Sequence, residues 1–337
     1  MTPPSLSIVA PCYNEEEGLP EFIRRTATAA QGVGQTYELV LVNDGSRDGT
    51  WRVMQEHAAR DPTIVAVNLS RNHGHQLALT AGLSVCTGQR VLIIDADLQD
   101  PPELLPEMLA RMDAGADVVY GQRRKRSGET VFKLATAAAF YRIIEKLTDT
   151  PIPRDTGDFR LMSRRALNVL MSMPERHRFI RGMVSWIGFR QEPLLYDRDA
   201  RFAGETKYPF RKMLKFAIDA VTAFSIKPLT FAVGLGFAAA GIAVLLVLYS
   251  VIIWISGKTV PGWASIVAAL AFFSGAQLIV MGIFGEYLGR LYEQAKGRPL
   301  FIISDIVCGG EKGDASVAAR PKPATAIPAS SEVHSDA

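Results

Sequence analysis

Between Leu6 and Tyr120 the chain switches repeatedly between two hydrophobic periods. Leu6–Ala10, Glu38–Val42, Ile64–Val67, Val91–Ile94 and Val118–Tyr120 are short apolar runs rich in β-branched residues, which predict strands. Phe22–Ala30, Thr50–Arg60, Gln76–Val85 and Glu103–Met112 lie between them with apolar residues at helical spacing. Val91–Ile94 is apolar at every position, the pattern of a strand buried on both faces of a parallel sheet. The alternation predicts an α/β domain: a Rossmann-like, mostly parallel, doubly wound sheet with right-handed crossovers and helices on both faces.

Polar residues collect where these strands end. Tyr13-Asn14-Glu15 follows the first strand, Asn43-Asp44-Gly45-Ser46 the second, Asp95 and Asp97 the fourth and Arg123 the fifth. The carboxyl edge of an open α/β sheet is where such folds bind ligands. Asp95 and Asp97 stand two apart, so in extended chain their carboxylates share a face. Two hard oxygen ligands there suit Mg²⁺ or Mn²⁺ holding a diphosphate. Pro101-Pro102 stops the strand and suits the first turn of the helix that follows. Asp197-Arg198-Asp199 has the same spacing but no buried strand before it, and reads as a solvated loop. No G-x-G-x-x-G follows the first strand and no G-x-x-x-x-G-K-[ST] occurs, which disfavours dinucleotide and P-loop chemistry.

Farther along, Arg123-Arg124-Lys125-Arg126 and Lys133 form either a solvated basic loop or a clamp for phosphate groups. Asp155-Thr156-Gly157-Asp158-Phe159-Arg160 suits a site loop, and equally a cap for a helix over Ser163–Met171. Arg198–Tyr208 is a second basic stretch with glycine punctuation that could close over a ligand. Phe210–Ser225 sets Arg211, Lys212 and Lys215 among apolar residues, as in an amphipathic helix lying on a membrane. Leu229–Ile255 and Ala264–Gly285 then carry no charge. As helices they would run roughly 40 and 33 Å, enough to cross a bilayer and return. Arg211, Lys212, Lys215 and Lys227 flank one side and Arg290, Lys296 and Arg298 the other, against Lys258 alone in the connection. The positive-inside rule puts both flanks in the cytoplasm. The expected division is a catalytic domain over 1–209, an amphipathic helix over 210–228, two membrane helices within 229–289, a cytosolic return segment over 290–310 and a disordered tail over 311–337.

Composition changes this picture little. A net charge of +3 over 337 residues does not call for nucleic acid. Cys12, Cys86 and Cys308 are odd in number and lack metal-ligand spacing, which fits reduced thiols. No basic stretch followed by an apolar run opens the chain, so no signal peptide is expected.

Five motifs carry a likeness: Pro11-x-Tyr13-Asn14-Glu15, Asn43-Asp44-Gly45-Ser46-x-Asp48, Ser70-Arg71-Asn72-x-Gly74-His75, Asp95-Ala96-Asp97-Leu98-Gln99-x-Pro101-Pro102 and Asp155-Thr156-Gly157-Asp158-Phe159-Arg160. Together they resemble the family-2 inverting glycosyltransferases that load sugars onto polyprenyl phosphates, and look most like the bactoprenol glucosyltransferase branch. The likeness runs from Ser5 to about Ile306. It implies a GT-A fold and transfer of a hexose, glucose from UDP-glucose, to undecaprenyl or another polyprenyl phosphate. The reaction would occur at the cytoplasmic face of the bacterial inner membrane; mannose, N-acetylglucosamine and aminoarabinose are the alternative sugars. By this resemblance Pro11, Tyr13, Asn14, Glu15, Asp44 and Asp95 hold the nucleotide, and Asp95, Asp97 and Gln99 hold Mg²⁺ or Mn²⁺. Arg123, Arg126, Lys133, Arg201 and Lys207 handle phosphates, including that of the lipid. Asp155 and Asp158 are the catalytic pair beside the attacking oxygen. Asp158 is either a general base or an orienter of a basic group such as Arg160, and mannose synthases of the wider family tend to lack an acid there. The partners implied are a nucleotide sugar, a polyprenyl phosphate and the bilayer, with no nucleic acid, and a homo-oligomer is compatible with the resemblance. Processive synthases of this fold carry a Q-x-x-R-W signature that is missing here, which disfavours polymerisation. The rival reading, a non-catalytic membrane module that binds sugar nucleotides, is disfavoured because all the acids stand.

Overall fold

Each apolar run between Leu6 and Arg123 becomes a strand, and four of them lie side by side in parallel. The computed structural model describes residues 3–124, 153, 156–197, 222, 225–257, 262–309 and 311–313. Strand β1 (Leu6–Cys12) sits between β2 (Tyr37–Asn43) and β4 (Arg90–Ile93), with β3 (Ile64–Leu69) outside β2. Helices α1 (Leu19–Gly32), α2 (Thr50–Arg60) and α3 (His75–Val85) connect them. A 3₁₀ turn (Pro102–Leu104) leads into α4 (Leu105–Asp113) and then β5 (Val118–Arg123).

All of β1 is buried, which requires cover on both faces. Leu6, Ile8, Leu39, Leu41 and Leu92 pack with Phe22 of α1, Met54 of α2 and Leu105 and Met108 of α4. Helix α3 covers the other face. Val9 and Val42 come so close to Gly82 that a Cβ there would collide with them. The expected α/β sheet with helices on both faces is therefore present.

Three stretches differ from their sequence reading. The acidic Asp155–Arg160 stretch is neither loop nor helix cap from Thr156 onward. Thr156–Ser163 is strand β6, inserted antiparallel between β4 and β5 and buried at seven of its eight positions. Phe159 and Leu161 enter the core on one face, while Asp158 and Arg160 alternate onto the other and disguise the strand as polar chain. Ser163 does cap the next helix, α5 (Arg164–Ser172), its hydroxyl accepting the Ala166 N–H at 3.3 Å. Helix α6 (Ile180–Trp186) and edge strand β7 (Gln191–Tyr196), which runs parallel to β5, follow.

The second difference is the return segment over 290–310, and the third is the start of the expected tail. In the return segment Ile303–Cys308 forms β8, antiparallel to β3, and at the start of the tail Glu311–Gly313 forms β9 beside it. The described residues thus build one sheet in the order β7-β5-β6-β4-β1-β2-β3-β8-β9. The exposed polar positions Ser304 and Cys308 break the apolar pattern of β8, yet Phe301, Ile303 and Val307 are buried.

The chain divides into two compact units, and the second is an insertion, Tyr208–Gly297 together with Ala135–Thr150. Its described part is a pair of helices, α7 (Lys227–Ile255) and α8 (Trp263–Ala295), with the Tyr287 hydroxyl donating to the Ser225 carbonyl at 2.6 Å. Helix α8 continues beyond Gly285 through Glu286, Arg290 and Glu293. The spans Lys227–Ile253 and Ser265–Ala295 have mean hydropathies of 2.5 and 2.2 and are almost wholly exposed, so their apolar surface is not a protein core. The amphipathic helix expected over 210–228 lies mostly outside the described residues.

If β8 belongs to the sheet, truncations should separate sharply. A chain ending after Gly313 is expected to keep its Tm within ~2 °C. A chain ending at Gly297 loses Phe301, Ile303 and Val307 from the core, roughly 5 kcal/mol of burial, and should lose more than ~10 °C in Tm. Differential scanning fluorimetry of the two truncations checks this; equal Tm values would remove β8 from the folding unit.

Candidate active site

The loops that follow β1 and β2 are stapled to each other. Pro11 is buried in β1, while Tyr13 and Asn14 are exposed beyond it. Asn14 adopts the left-handed backbone, φ 56°, which asparagine tolerates better than most residues. Its N–H donates to Ser46 Oγ at 3.0 Å, its Oδ1 accepts the Arg47 N–H at 2.9 Å, and the Glu15 N–H donates to Thr50 Oγ1 at 2.9 Å.

Asp44 is buried at the end of β2. Its Oδ1 accepts the His73 N–H at 2.7 Å and its Oδ2 the Gly74 N–H at 3.0 Å. Burial pushes its pKa up, and those two amides pull against the shift. The Asp44 carboxylate therefore shapes the loop that delivers His75 to the start of α3. Gly45, at φ 62°, makes the approach possible, since a Cβ there would lie 2.5 Å from the Asn72 nitrogen.

The acid pair follows β4. Leu98 turns the chain with φ 59°, and the Gln99 N–H caps Asp97 Oδ1 at 3.2 Å. Asp95 Oδ1 is buried, has no hydrogen-bond partner among the described residues, and lies 3.5 Å from His75 Nε2. Burial, then the negative charges of Asp158, Asp100 and Asp97, raise the Asp95 pKa to about 6, while His75 opposes the rise. Among the described residues no three His, Cys, Asp or Glu side chains converge into a ready-made metal cage. Two carboxylates with an unmet buried oxygen do fit the kind of site that completes itself with substrate phosphate oxygens.

Asp158, on β6, is the point where the elements meet. It is 2% exposed. Arg181 Nε, from α6, donates to its Oδ1 at 3.0 Å. Gln76 Nε2, from α3, donates to Oδ2 at 2.8 Å, and His75 Nε2 stands 3.2 Å from the same oxygen. Gln76 also accepts the Ile180 N–H at 3.0 Å through Oε1, so one amide ties α6 to the carboxylate. Arg160 is buried beside it, donating to the Gly157 and Asp158 carbonyls at 3.0 and 3.3 Å, with its guanidinium 3.9 Å from Asp158 Oδ1. Burial alone would raise the Asp158 pKa, but the charges of Arg181, His75 and Arg160 hold it well below the usual carboxylate range. Desolvation likewise works against a charged His75, yet its bond to Asp158 and the charge of Asp95 raise its pKa to about 9. Burial lowers Arg160 to about 10, so it too stays charged at neutral pH. Arg160 and Arg181 line a cleft with Tyr120, Thr156, Ser185 and Gln191. Arg123 reaches over β6 where Gly157 leaves room, 3.2 Å from the place a Cβ would take.

Asp95 and Asp158 thus meet through His75. Asp155, Arg126, Lys133, Arg201 and Lys207 lie outside the described residues. The sequence reading did not assign His75, Gln76 or Arg181. His75 closes one of the five motifs, but nothing in the chain's pattern connects Arg181 to Asp158, because their contact depends on where α6 packs.

The model of the family described as glycosyl transferase family 2 matches residues 7–171. The uncharacterized glycosyltransferase YkcC of Bacillus subtilis is 46% identical over 300 residues, covering 88% of this chain and 92% of that one. A prophage bactoprenol glucosyl transferase homolog of Escherichia coli is 36% identical over 302 residues, covering 89% and 99%. Among solved structures, mannosyl-3-phosphoglycerate synthase from Rubrobacter xylanophilus aligns over 65% of this chain and 72% of that one, at 19% identity and a TM-score of 0.47.

The raised His75 pKa carries a sign. The folded protein holds this proton more tightly than the unfolded chain, so the stabilisation is full below about pH 6.5 and is lost as pH rises to about 9. The Tm difference between wild type and His75→Gln, measured in chelator, should therefore be largest near pH 6 and shrink steadily to about pH 9. A difference that is flat across that range would show that His75 is neutral in the fold.

Proposed function

This chain belongs to glycosyl transferase family 2, and from that premise we propose that it moves glucose from UDP-glucose to undecaprenyl phosphate or a similar polyprenyl phosphate, with inversion at the anomeric carbon. The observation that carries this reading is the Asp158 cluster. A buried carboxylate holds two cationic side chains, Arg181 and His75, at the sheet's ligand-binding edge and against the acid pair. Relatives named bactoprenol glucosyl transferase support the lipid acceptor, and the two long apolar helices support work at a bilayer. The basic flanks of those helices favour a multi-pass protein of the bacterial inner membrane with its catalytic unit on the cytoplasmic side.

In this reading the stapled loops holding Pro11, Tyr13, Asn14, Glu15 and Asp44 receive the nucleotide. Asp95, Asp97 and Gln99 would hold Mg²⁺ or Mn²⁺, which when bound neutralises the leaving diphosphate. The acceptor phosphate attacks the anomeric carbon from the opposite face. A phosphate monoester has a second pKa of about 6 and is mostly dianionic at neutral pH, so it needs little deprotonation. What it needs is to be held against another anion. Asp158, with its pKa held low and both oxygens occupied, is a poor base and a good orienter. It orients Arg181 and His75, with Arg160 committed to the backbone carbonyls of β6. Arg123 serves the phosphates, joined by Arg126, Lys133, Arg201 and Lys207, and Asp155 completes the catalytic pair.

Three measurements test this. Purified protein given undecaprenyl phosphate and a panel of labelled nucleotide sugars should transfer glucose, and a preference for mannose, N-acetylglucosamine or aminoarabinose would replace the donor. Excess chelator, or Asp97→Asn, should abolish transfer, with added Mg²⁺ or Mn²⁺ restoring only the wild type; full activity in chelator would remove the metal. Asp158→Asn should lower kcat by about 10²-fold and raise the acceptor KM, with a defect that stays constant between pH 7 and 9. Recovery of kcat with rising pH at unchanged KM would make Asp158 the general base after all.

A further inference from the structure

At the carboxyl end of the sheet, Asn43, Asn68 and Asp305 are register partners on three adjacent strands, β2, β3 and β8. Their side chains form one continuous ladder. Asn68 Nδ2 donates to Asp305 Oδ2 at 3.1 Å, and Asn43 Nδ2 donates to Asn68 Oδ1 at 2.7 Å. Asn43 Oδ1 accepts the Ser46 N–H at 3.2 Å, and Ser46 Oγ accepts the Asn14 N–H at 3.0 Å. The ladder therefore begins on the strand that follows the second apolar helix and ends in the loops after β1 and β2. A register shift between Asn68 and Leu69 frees Ser304, whose hydroxyl donates to the Asn68 carbonyl at 3.1 Å and pins the far end.

The direction of these bonds is set by Asp305. A carboxylate only accepts, so Asn68 must turn its NH₂ toward it and its carbonyl toward Asn43. Asn43 must then turn its NH₂ toward Asn68 and its carbonyl toward the Ser46 amide. Reversing either amide would set N–H against N–H. Asn43 is 3% exposed, so water cannot readily replace a lost partner.

We infer that Asp305 is a positioning residue for the sugar-nucleotide loops: it fixes both asparagine amides and through them the Ser46 turn that holds Asn14. This rests on the reading of those loops as the donor site. It makes the strand downstream of the apolar helices part of the donor-binding apparatus, although the strand contributes no group that touches the donor.

The test uses the full chain in detergent with two readouts. Asp305→Ala should speed hydrogen exchange at the Ser46 and Arg47 amides by about tenfold, the loss of one buried hydrogen-bond partner. It should raise the KM for UDP-glucose by a similar factor, with acceptor KM and kcat within about twofold. Asp305→Asn keeps an acceptor oxygen for Asn68 and should behave as wild type in both readouts. Unchanged exchange at Ser46 in Asp305→Ala overturns the inference, whatever the donor proves to be. So does a loss that Asp305→Asn shares in full, or one that falls on the acceptor KM. If exchange responds as expected while the wild type transfers no glucose, the latch stands and the functional reading falls instead.

Discussion

The candidate site depends on one unfavourable burial, that of Asp158. A carboxylate on an inner strand, removed from water, costs several kcal/mol unless it is paired and hydrogen-bonded. Here β6 supplies the charge and other elements cancel it: His75 and Gln76 from the first turn of α3, and Arg181 from α6. Each partner is useful only if its helix is correctly seated. The electrostatic demand of one residue thereby fixes the relative placement of three elements, and breaking such a pair from one side costs about 3–5 kcal/mol. What lines the candidate site is also what holds the local fold together.

That arrangement explains which parts of the molecule were legible in its sequence. The central stretches of β1 to β4, Ile8–Ala10, Leu39–Val42, Ile64–Val67 and Val91–Ile93, are apolar without interruption, since a parallel sheet covered on both faces leaves them no polar side. Their ends gave the acid pair and the nucleotide loops as groups at one edge. Strand β6 is hidden in the sequence because two of its seven buried positions are Asp158 and Arg160, whose burial is made possible by partners distant in sequence. Strand β8 is hidden in the sequence because it lies near the sheet's edge, with only the three-residue β9 outside it, Ser304 at its irregularity and only one face in the core. The His75 contact was half visible, since the residue lay in a motif whose purpose was not evident. Arg181 had no local signal, because a long-range salt bridge leaves no periodicity.

The carboxyl edge also shows how one site can manage opposite charges. Burial, with the charges of Asp158, Asp100 and Asp97 added to it, raises Asp95, while Arg181 and Arg160 press on Asp158 from the other side. His75 lies between the two sets, bonded to Asp158 and facing Asp95. It is a positive spacer that keeps the two carboxylates from acting as a like-charged pair. In the proposed reaction a sugar diphosphate and a phosphate acceptor both approach here as anions. A site with fixed cations on one flank and the Asp95 and Asp97 carboxylates on the other would hold them without forcing them through the same contacts.

Chain order adds a last constraint. The apolar helices are not an appendage to the sheet: the chain leaves it after β7 and re-enters it as β8, so the segment carrying them is an insertion in a single folding unit. A terminal anchor would leave one attachment free to drift. An insertion closes a loop whose two ends are both fixed in the sheet, one on its edge strand β7 and the other beside β3. The second of these ends is where Asp305 meets Asn68 and, through Asn43, the turn at Ser46. The return from the apolar segment and the loops after β1 and β2 are therefore joined by the same few hydrogen bonds. In the function proposed above, the segment that would reach the bilayer is thus tied, at its return, to the same strands on which the proposed donor loops rest.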